Sequence, residues 1–475
     1  MASKNISFDN IPASIRKPGK YFEFNLKLAV HTLPSNAQAM LIIAQRLAAG
    51  SVAQLIPTKV FSDSDAAAYF GSGSIAHLMV RAAIKANPYL DLTVCALDDA
   101  TTSPIARVQT LALTGPATGS GTLTLMVGNV SYQIGISALD TASAIGDNLV
   151  AALNQDAALP FTVVNTSGSI AFTAKNKGTV PNQIDFSVTI TAAGVTGTFT
   201  TTTAGAVDPT LATALAVVFG TQYNIITVPF IDSTSVAALK THLDNISGPM
   251  EERPGTGYIA DDDALGTVTT LGGTTINSGR ILLAYLRGTQ SPAYEIAAAF
   301  AAVKASEEDP ARPLNTLELT GIAAPPIASR LSRTEQESCL ANGVTPLEVG
   351  PGEVVQIVRA ISTYVKNAAG INDISLLDIT TICTLDYVRE AIRTRIALRF
   401  PREKLSSKTP DKVRDQIIDV LEQLEELEIV ENVADNLDGV IVERDLQDPN
   451  RLDAKIPTDV VNGLHVFAGR IDLIL

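Results

Sequence analysis

Two glycines in the stretch FGSGSIA, residues 70–76, have a type and spacing that could do chemistry. Gly71, Gly73 and Ala76 match the loose pattern with which dinucleotide-binding proteins bring backbone amides close to a phosphate. That chemistry needs a strand before the glycines, whereas a helical stretch precedes them here. The sequence therefore favours a joint between two helices, with Gly71 ending one and Ser74 capping the next. A nucleotide-dependent cytosolic enzyme is left as a remote alternative.

The other groups that could ligate a metal or catalyse a reaction form no strong pattern. Asp261–Asp263 could suggest a divalent cation, but we expect them to open a helix, where carboxylates accept hydrogen bonds from unpaired amides. The histidines and cysteines stand alone, without metal-ligand or CxxC spacing, and are expected to be packing or surface residues. They are His31, His77, His242, His465, Cys95, Cys339 and Cys383. We predict no catalytic residue, no metal and no cofactor.

A series of arginines in DYVREAIRTRIALRFPREK has near-helical spacing. It consists of Arg389, Arg393, Arg395, Arg399 and Arg402. Such spacing places several guanidinium groups along one side of a helix. An ordinary solvated face is one interpretation, and a surface that meets an acidic partner is the other, because arginine suits ion pairs at interfaces.

Bulk composition bounds the class of protein. A net charge of −14 opposes binding to nucleic acid and to anionic membranes. The 475 residues, 46% hydrophobic and 18% charged, predict a folded chain of two to four domains. No stretch approaches the roughly 20 apolar residues of a membrane span, and the opening MASKNISFDN lacks an apolar signal core. We therefore expect a protein made and kept in the cytosol.

The elements that must position these residues follow from the hydrophobic patterns. Strands and helices alternate over residues 21–103 and again over 207–329, which predicts an α/β domain with a largely parallel sheet. Residues 104–206 are rich in threonine, glycine and serine, and seven short alternating segments with one helix predict a β-rich insert. Residues 330–463 contain two strands before two long helices.

Both chain ends read as extended arms. Pro12 and Pro18 oppose a helix in residues 1–20. At the carboxy terminus, GLHVFAGRIDLIL consists of two strands of opposite phase with Gly469 at the change. We predict that 464–468 closes the subunit's own fold and that 470–475 is exported to a neighbour.

Several stretches resemble contractile tail sheath proteins. The run IPASIRKPGKYFEFNLKLAVHTLP followed by AMLIIAQRL resembles the amino-terminal region of that family. ISFDNIP, SIRKPG and FGSGSIAHLM are most similar to the phage Mu type. The split α/β core, the carboxy-terminal helical region and the terminal strand occur in the family's order over nearly the whole chain.

The resemblance implies a structural subunit and no enzyme. Sheath subunits form stacked sixfold rings around an inner tube, and contraction from a metastable extended state drives the tube through the target cell envelope. The implied partners are further copies of the chain, the inner tail tube protein, and baseplate and tail terminator proteins, with no nucleic acid and no membrane insertion. The implied location is the virion tail, assembled in the host bacterial cytoplasm. Another tail or baseplate structural protein is the alternative.

The expected fold class is α+β multidomain: an α/β core split by a β-rich insert, a carboxy-terminal α+β domain, and two extended arms. The expected domains are the arm 1–20, the core 21–103 and 207–329, an outward-facing insert 104–206, the carboxy-terminal domain 330–463 and the arm 464–475. In the family both arms add strands to neighbours, which here implies Ile6, Phe8, Ile11, Ile15, Leu464, Val466, Gly469, Ile471, Leu473 and Leu475. The resemblance also suggests that the five arginines face the tube.

Overall fold

The computed structural model describes residues 16–22 and 33–474. These residues form two compact units. The larger unit comprises residues 36–387, 428–432 and 458–474. The smaller unit comprises 388–427 and 433–457, together with the described residues before 36.

Eight of the described strands form one sheet in the larger unit. They are β1 (Ala39–Gln45), β2 (Thr58–Lys59), β3 (Asp91–Leu97), β11 (Ile225–Thr227), β12 (Thr256–Asp261), β13 (Ile281–Tyr285), β14 (Thr345–Val349) and β15 (Val355–Ile357). Their spatial order is β15-β14-β13-β12-β11-β1-β3-β2, and neighbours are parallel except at the two outermost pairs. The continuous apolar runs of β1, β12 and β13 are buried almost throughout, as in parallel sheets covered on both faces. The predicted, largely parallel α/β sheet is confirmed.

The helices of the larger unit connect these strands or belong to the β-rich segment. They are α1 (Asp63–Phe70), α2 (Ile75–Ala86), α3 (Ala142–Leu153), α4 (Leu211–Val218), α5 (Ser233–Ile246), α6 (Leu265–Thr270), α7 (Ala293–Ala305) and α8 (Arg333–Ala341). The alanine-rich α7 is buried over nearly its whole length and packs against α2 and β12. Small side chains allow this close approach, which fixes α2 over the sheet.

Residues 104–206 contain the seven predicted short strands and the predicted helix α3. The strands are β4 (Val108–Leu113), β5 (Gly121–Val127), β6 (Val130–Ile136), β7 (Phe161–Thr166), β8 (Ser169–Ala174), β9 (Phe186–Ile190) and β10 (Gly197–Thr203). They form two antiparallel sheets, β10-β4-β8-β7 and β6-β5-β9. Four phenylalanine rings, with neighbouring centroids 5.1 to 6.5 Å apart, pack inside this insert.

The smaller unit contains the greater part of the two long predicted helices. Its elements are part of α9 (Ile379–Arg399), then α10 (Thr409–Glu426), α11 (Val433–Asn436), β17 (Ile441–Arg444) and β18 (Leu452–Lys455). Strands β17 and β18 pair antiparallel. Between and after these elements the chain returns to the larger unit, where β16 (Val430–Glu431) pairs with β19 (Asp459–Val460).

The domain boundaries given above stay predictions. Strands β14 and β15 lie within the range 330–463, yet they continue the large sheet of the core. The terminal segment differs from its prediction, because residues 461–474 contain no helix or strand in this chain. No strand of the described residues pairs with this apolar segment.

Candidate functional site

The glycine stretch FGSGSIA is a joint between two helices, as predicted. Gly71 ends α1 with a φ of 86°, a conformation that glycine adopts without strain. The Ser74 hydroxyl caps α2 and accepts a hydrogen bond from the His77 N–H at 3.1 Å. Ser62 caps the amino terminus of α1, because its hydroxyl accepts a hydrogen bond from Asp65 N–H.

The amino terminus of α2, where a phosphate would bind in the nucleotide interpretation, is occupied by the β-rich insert. The Asn176 side-chain oxygen accepts from Ile75 N–H at 3.1 Å. The Asn176 amide donates to the carbonyl of Arg46 at 2.9 Å and to Asp99 at 3.1 Å. Because Asn176 already accepts the hydrogen bond of the buried Ile75 N–H, the glycine motif serves packing between core and insert.

Four further hydrogen bonds complete this joint. We call the joint the insert clamp and define it as Gln45, Asp99, Lys175, Asn176 and Lys177. The Gln45 amide donates to Asp99 at 2.8 Å and to the Lys177 carbonyl at 2.6 Å. Lys177 N–H donates to Asp99 at 3.0 Å, and the Lys175 ammonium donates to the Ser72 carbonyl at 3.3 Å. Our sequence reasoning missed the clamp, although Lys175 and Lys177 are two of the six charged residues between 108 and 205.

The three consecutive aspartates lie at the carboxyl end of β12. The prediction that they open a helix directly was wrong, because α6 begins at Leu265. Asp261 accepts a hydrogen bond from Asp263 N–H at 3.0 Å, which makes a turn. Burial, followed by the charges of Asp185 and Asp261, raises the pKa of Asp262 to about 7. Among the described residues, no cluster of histidine, cysteine or acidic side chains has the arrangement of a metal site.

The five arginines of the predicted basic stripe differ in exposure. Arg393 and Arg402 are exposed, Arg389 and Arg399 are half-buried, and Arg395 is buried.

Arg395 is a structural residue of the smaller unit. It forms an ion pair with Asp419 of α10, and its second terminal nitrogen donates to Gln423 at 3.2 Å. A buried arginine paired inside its own fold is not offered to another protein. Arg395 is therefore removed from the set that could meet a tube, and the role of the other four stays a prediction.

The carboxy-terminal segment is exposed along most of its length. Leu464, Val466, Ile471 and Leu473 are 80%, 78%, 98% and 83% exposed. Leu464 and Val466 were expected to close the subunit's own fold. This was wrong, because both side chains are largely exposed. The proposed change of strand phase at Gly469 stays a prediction. Leu475 and the arm residues Ile6, Phe8, Ile11 and Ile15 lie outside the described residues.

None of the described helices is both long enough and apolar enough to cross a membrane. In the described residues the glycine motif serves packing, and the tail is apolar and exposed. An exposed apolar segment is typical of a surface that contacts another chain.

Comparisons with known proteins agree with this description. Residues 202–363 match the phage tail sheath protein central domain, and residues 372–474 match the phage tail sheath C-terminal domain. The Mu-like prophage FluMu tail sheath protein of Haemophilus influenzae is 32% identical over 489 aligned positions, covering 99% of this chain and 100% of that protein.

Solved sheath structures share the fold. A sheath tail protein from Desulfitobacterium hafniense has a TM-score of 0.52 at 13% identity, with 94% of this chain and 97% of that chain covered. The sheath complex of an extracellular contractile injection system in the contracted state has a TM-score of 0.52 at 10% identity, with 98% and 99% covered. At these identities the likeness shows the fold.

The fold and the comparisons define a structural subunit of a contractile tail sheath, a component of the virion. The chain belongs to the phage tail sheath family and is of the Mu-like type. A structural role follows from this membership.

Proposed function

We propose that the subunit polymerises as stacked sixfold rings around an inner tube and contracts from a metastable extended state to drive the tube through the target cell envelope. Its partners are further copies of itself, the inner tail tube protein, and the baseplate and tail terminator proteins. Assembly takes place in the host bacterial cytoplasm. The insert 104–206 faces outward, and the two chain ends are the arms that connect neighbours.

The observation that carries the proposal is the exposed apolar tail. Ile471 and Leu473 share one side of an extended chain, with Asp472 and Ile474 on the other. Leaving such side chains in water forfeits about 1.5 to 3 kcal/mol each compared with burying them. A segment of this pattern gains that energy when it joins a partner's sheet.

Strand addition is the mode of contact that fits this segment. Backbone hydrogen bonds to the edge of a sheet supply strength, and the alternate side chains fix the register. Since residues 462–474 form no strand pair with any other residue that the structure describes, we infer that this segment can pair with another copy. Ile6, Phe8, Ile11 and Ile15 would give the amino-terminal arm the same mode of contact.

Deleting residues 470–475 tests the proposal. The shortened subunit should be soluble and melt at the parent temperature, because the side chains of residues 470–474 are exposed in its own fold. It should form no sheath, whereas the parent forms long tubes or sixfold rings in electron micrographs.

Point variants separate the two faces of the tail. Ile471→Asn with Leu473→Asn should abolish assembly, because both lie on the face proposed to enter the neighbour's sheet. Arg470→Gln, on the other face, is the matched control and should assemble. Normal tubes from the double variant, or an unfolded truncated subunit, would contradict the proposal. If the unmodified chain formed rings that do not stack into tubes, a baseplate component would be favoured instead.

A further inference from the structure

One side chain in the otherwise exposed tail is turned into the larger unit. The side chain of His465 is 13% exposed, in contrast to Leu464 and Val466 on either side. Its neighbours are Asn315 and Asp378. A chain segment whose flanking residues are exposed and whose central residue is buried is held at one point.

The place that receives His465 is built by the larger unit itself. Arg359 forms a bidentate pair with Asp378, with Nε to Oδ1 at 2.8 Å and Nη2 to Oδ2 at 2.6 Å. His465 Nε2 lies 3.3 Å from the same Oδ1. The carboxylate is thus already oriented by Arg359, and the imidazole lies beside it without a hydrogen bond in this geometry.

The other ring nitrogen also has a partner. His465 Nδ1 lies 3.0 Å from the side-chain amide nitrogen of Asn315. Because an amide nitrogen only donates, Nδ1 accepts this bond and carries no hydrogen, and the hydrogen of the neutral imidazole is on Nε2, which makes no hydrogen bond in this geometry. Nearby, a side chain at Gly463 would meet Pro313 at 2.5 Å, so the approach to this place is tight as well.

The chain before His465 has its own attachment. Strand β19 pairs with β16, and Val461 N–H donates to the Ile429 carbonyl at 3.3 Å. Residues 462–464 therefore lie between two attachments to the larger unit, and loss of the attachment at His465 would free residues 462–465. They amount to about 13 Å of extended chain.

We propose that His465 is a releasable anchor that gives the carboxy-terminal arm two lengths. While His465 is seated on Asn315 and Asp378, the arm that can reach another copy is 466–475, about 33 Å when extended. When His465 leaves, the strand pairing at β19 remains, and 462–465 lengthens the arm. This inference rests on the proposed export of the arm, since a longer arm matters where neighbouring copies change their separation.

Limited proteolysis of the purified full-length chain tests the anchor before any assembly. Chymotrypsin cleaves after Phe467. A protease binds several residues on each side of the cleaved bond in an extended form, so His465 must leave its place before this bond can be cut. His465→Ala and Asn315→Ala should each accelerate this cleavage by about tenfold, as expected for the loss of a local restraint. Trypsin cleavage after Arg470, beyond the anchor, is the internal control and should keep the parent rate.

The outcomes distinguish the anchor from the exported strand. Unchanged cleavage after Phe467 in both variants, at parent melting temperature, would overturn the anchor. Accelerated cleavage after Phe467 and Arg470 alike would overturn it too, because the whole tail would then have loosened. Accelerated cleavage after Phe467 alone supports the anchor. If the subunit that lacks residues 470–475 nevertheless assembles, the proposed export of the strand is wrong while the anchor still stands.

Discussion

Buried histidines of the larger unit are packing residues, each with a different neighbour. Gly73 N–H donates to His77 Nδ1 at 3.0 Å, and His77 Nε2 lies 3.0 Å from Asp63. His242 packs edge-on against Phe219, with ring centroids 6.0 Å apart. Burial, followed by the charge of Arg253, lowers the pKa of His242 to about 4. A neutral imidazole inside the core makes folding sensitive to acid.

We expect His242 to weaken the fold in mild acid. Its pKa is lower in the folded chain than its ordinary value of 6.5, so the unfolded chain takes up the proton first as the pH falls. The stability is present in full above pH 6.5 and is lost progressively towards pH 4, by roughly 3 kcal/mol. Urea denaturation at pH 7 and pH 4.5 measures this loss.

A variant isolates the contribution of this histidine from those of other titrating groups. His242→Gln cannot gain a charge, so its free energy of unfolding should fall less between the two pH values than that of the parent. Equal losses in parent and variant would show that His242 does not titrate on unfolding.

Residue roles could be predicted where the partner is close in sequence. Gly71 and Ser74 were identified because a helix end and a helix cap are local events. Arg395 was misassigned because its partner, Asp419, lies on another helix. Asn176 went unnoticed for the same reason, since Ile75 and Arg46 are more than a hundred residues away.

At the scale of elements, the insert clamp joins the β-rich segment to helix α2 and strand β1. Asn176 is almost completely buried and satisfies the Ile75 amide and the Arg46 carbonyl together. Such a group is costly to remove, because the backbone groups it leaves behind have no water to replace it.

Asn176→Ala should destabilise the subunit by about 2 to 4 kcal/mol, since two buried backbone groups lose their partner. Asn154→Ala, at an exposed position at the end of α3, is the matched control and should change the free energy of unfolding by less than about 0.5 kcal/mol. Thermal and urea denaturation measure both. A similar effect of the two substitutions would show that the clamp does not hold the insert.

Elements with a strong internal pattern were predicted, and those that need a partner were not. The seven strands of the insert alternate apolar and polar residues between turns, and all seven form. The terminal segment has a comparable pattern but pairs with no strand in the described part of the chain, so the pattern alone did not predict its conformation. The start of α6 was misplaced because acidic residues suit turns as well as helix starts.

At the scale of the whole molecule, 49 acidic residues outnumber 35 basic residues and give the net charge of −14, so the exposed arginines of α9 and the segment after it have the minority sign. Arg393 and Arg402 are exposed, and Arg393 also pairs with Glu390 on its own helix. A tube with a complementary acidic surface would be attracted by these charges, an effect that steers association more than it adds affinity.

Charge reversal tests whether these arginines face the tube. Arg393→Glu with Arg402→Glu should leave the melting temperature nearly unchanged and reduce assembly on purified tube protein several-fold, because exposed charges contribute little to folding. Arg333→Glu, exposed on α8, is the matched control and should assemble normally. Micrographs that count sheathed and bare tubes give the measurement. Undiminished sheathing by the double variant would remove the arginines from the tube interface.

The chain passes from the core into the insert near Ile105 and returns near Ala206, and these two positions are adjacent. Ile105 N–H donates to the Ala206 carbonyl at 2.9 Å, and Ala206 N–H donates back to Ile105 at 3.1 Å. Residues paired in this way have α-carbons about 5.5 Å apart. A foreign domain whose own ends are equally close could be spliced in at this position without stretching the core, provided that it also capped helix α2. The sheath subunit thus carries a grafting point at which every copy in a tail could be given the same new surface.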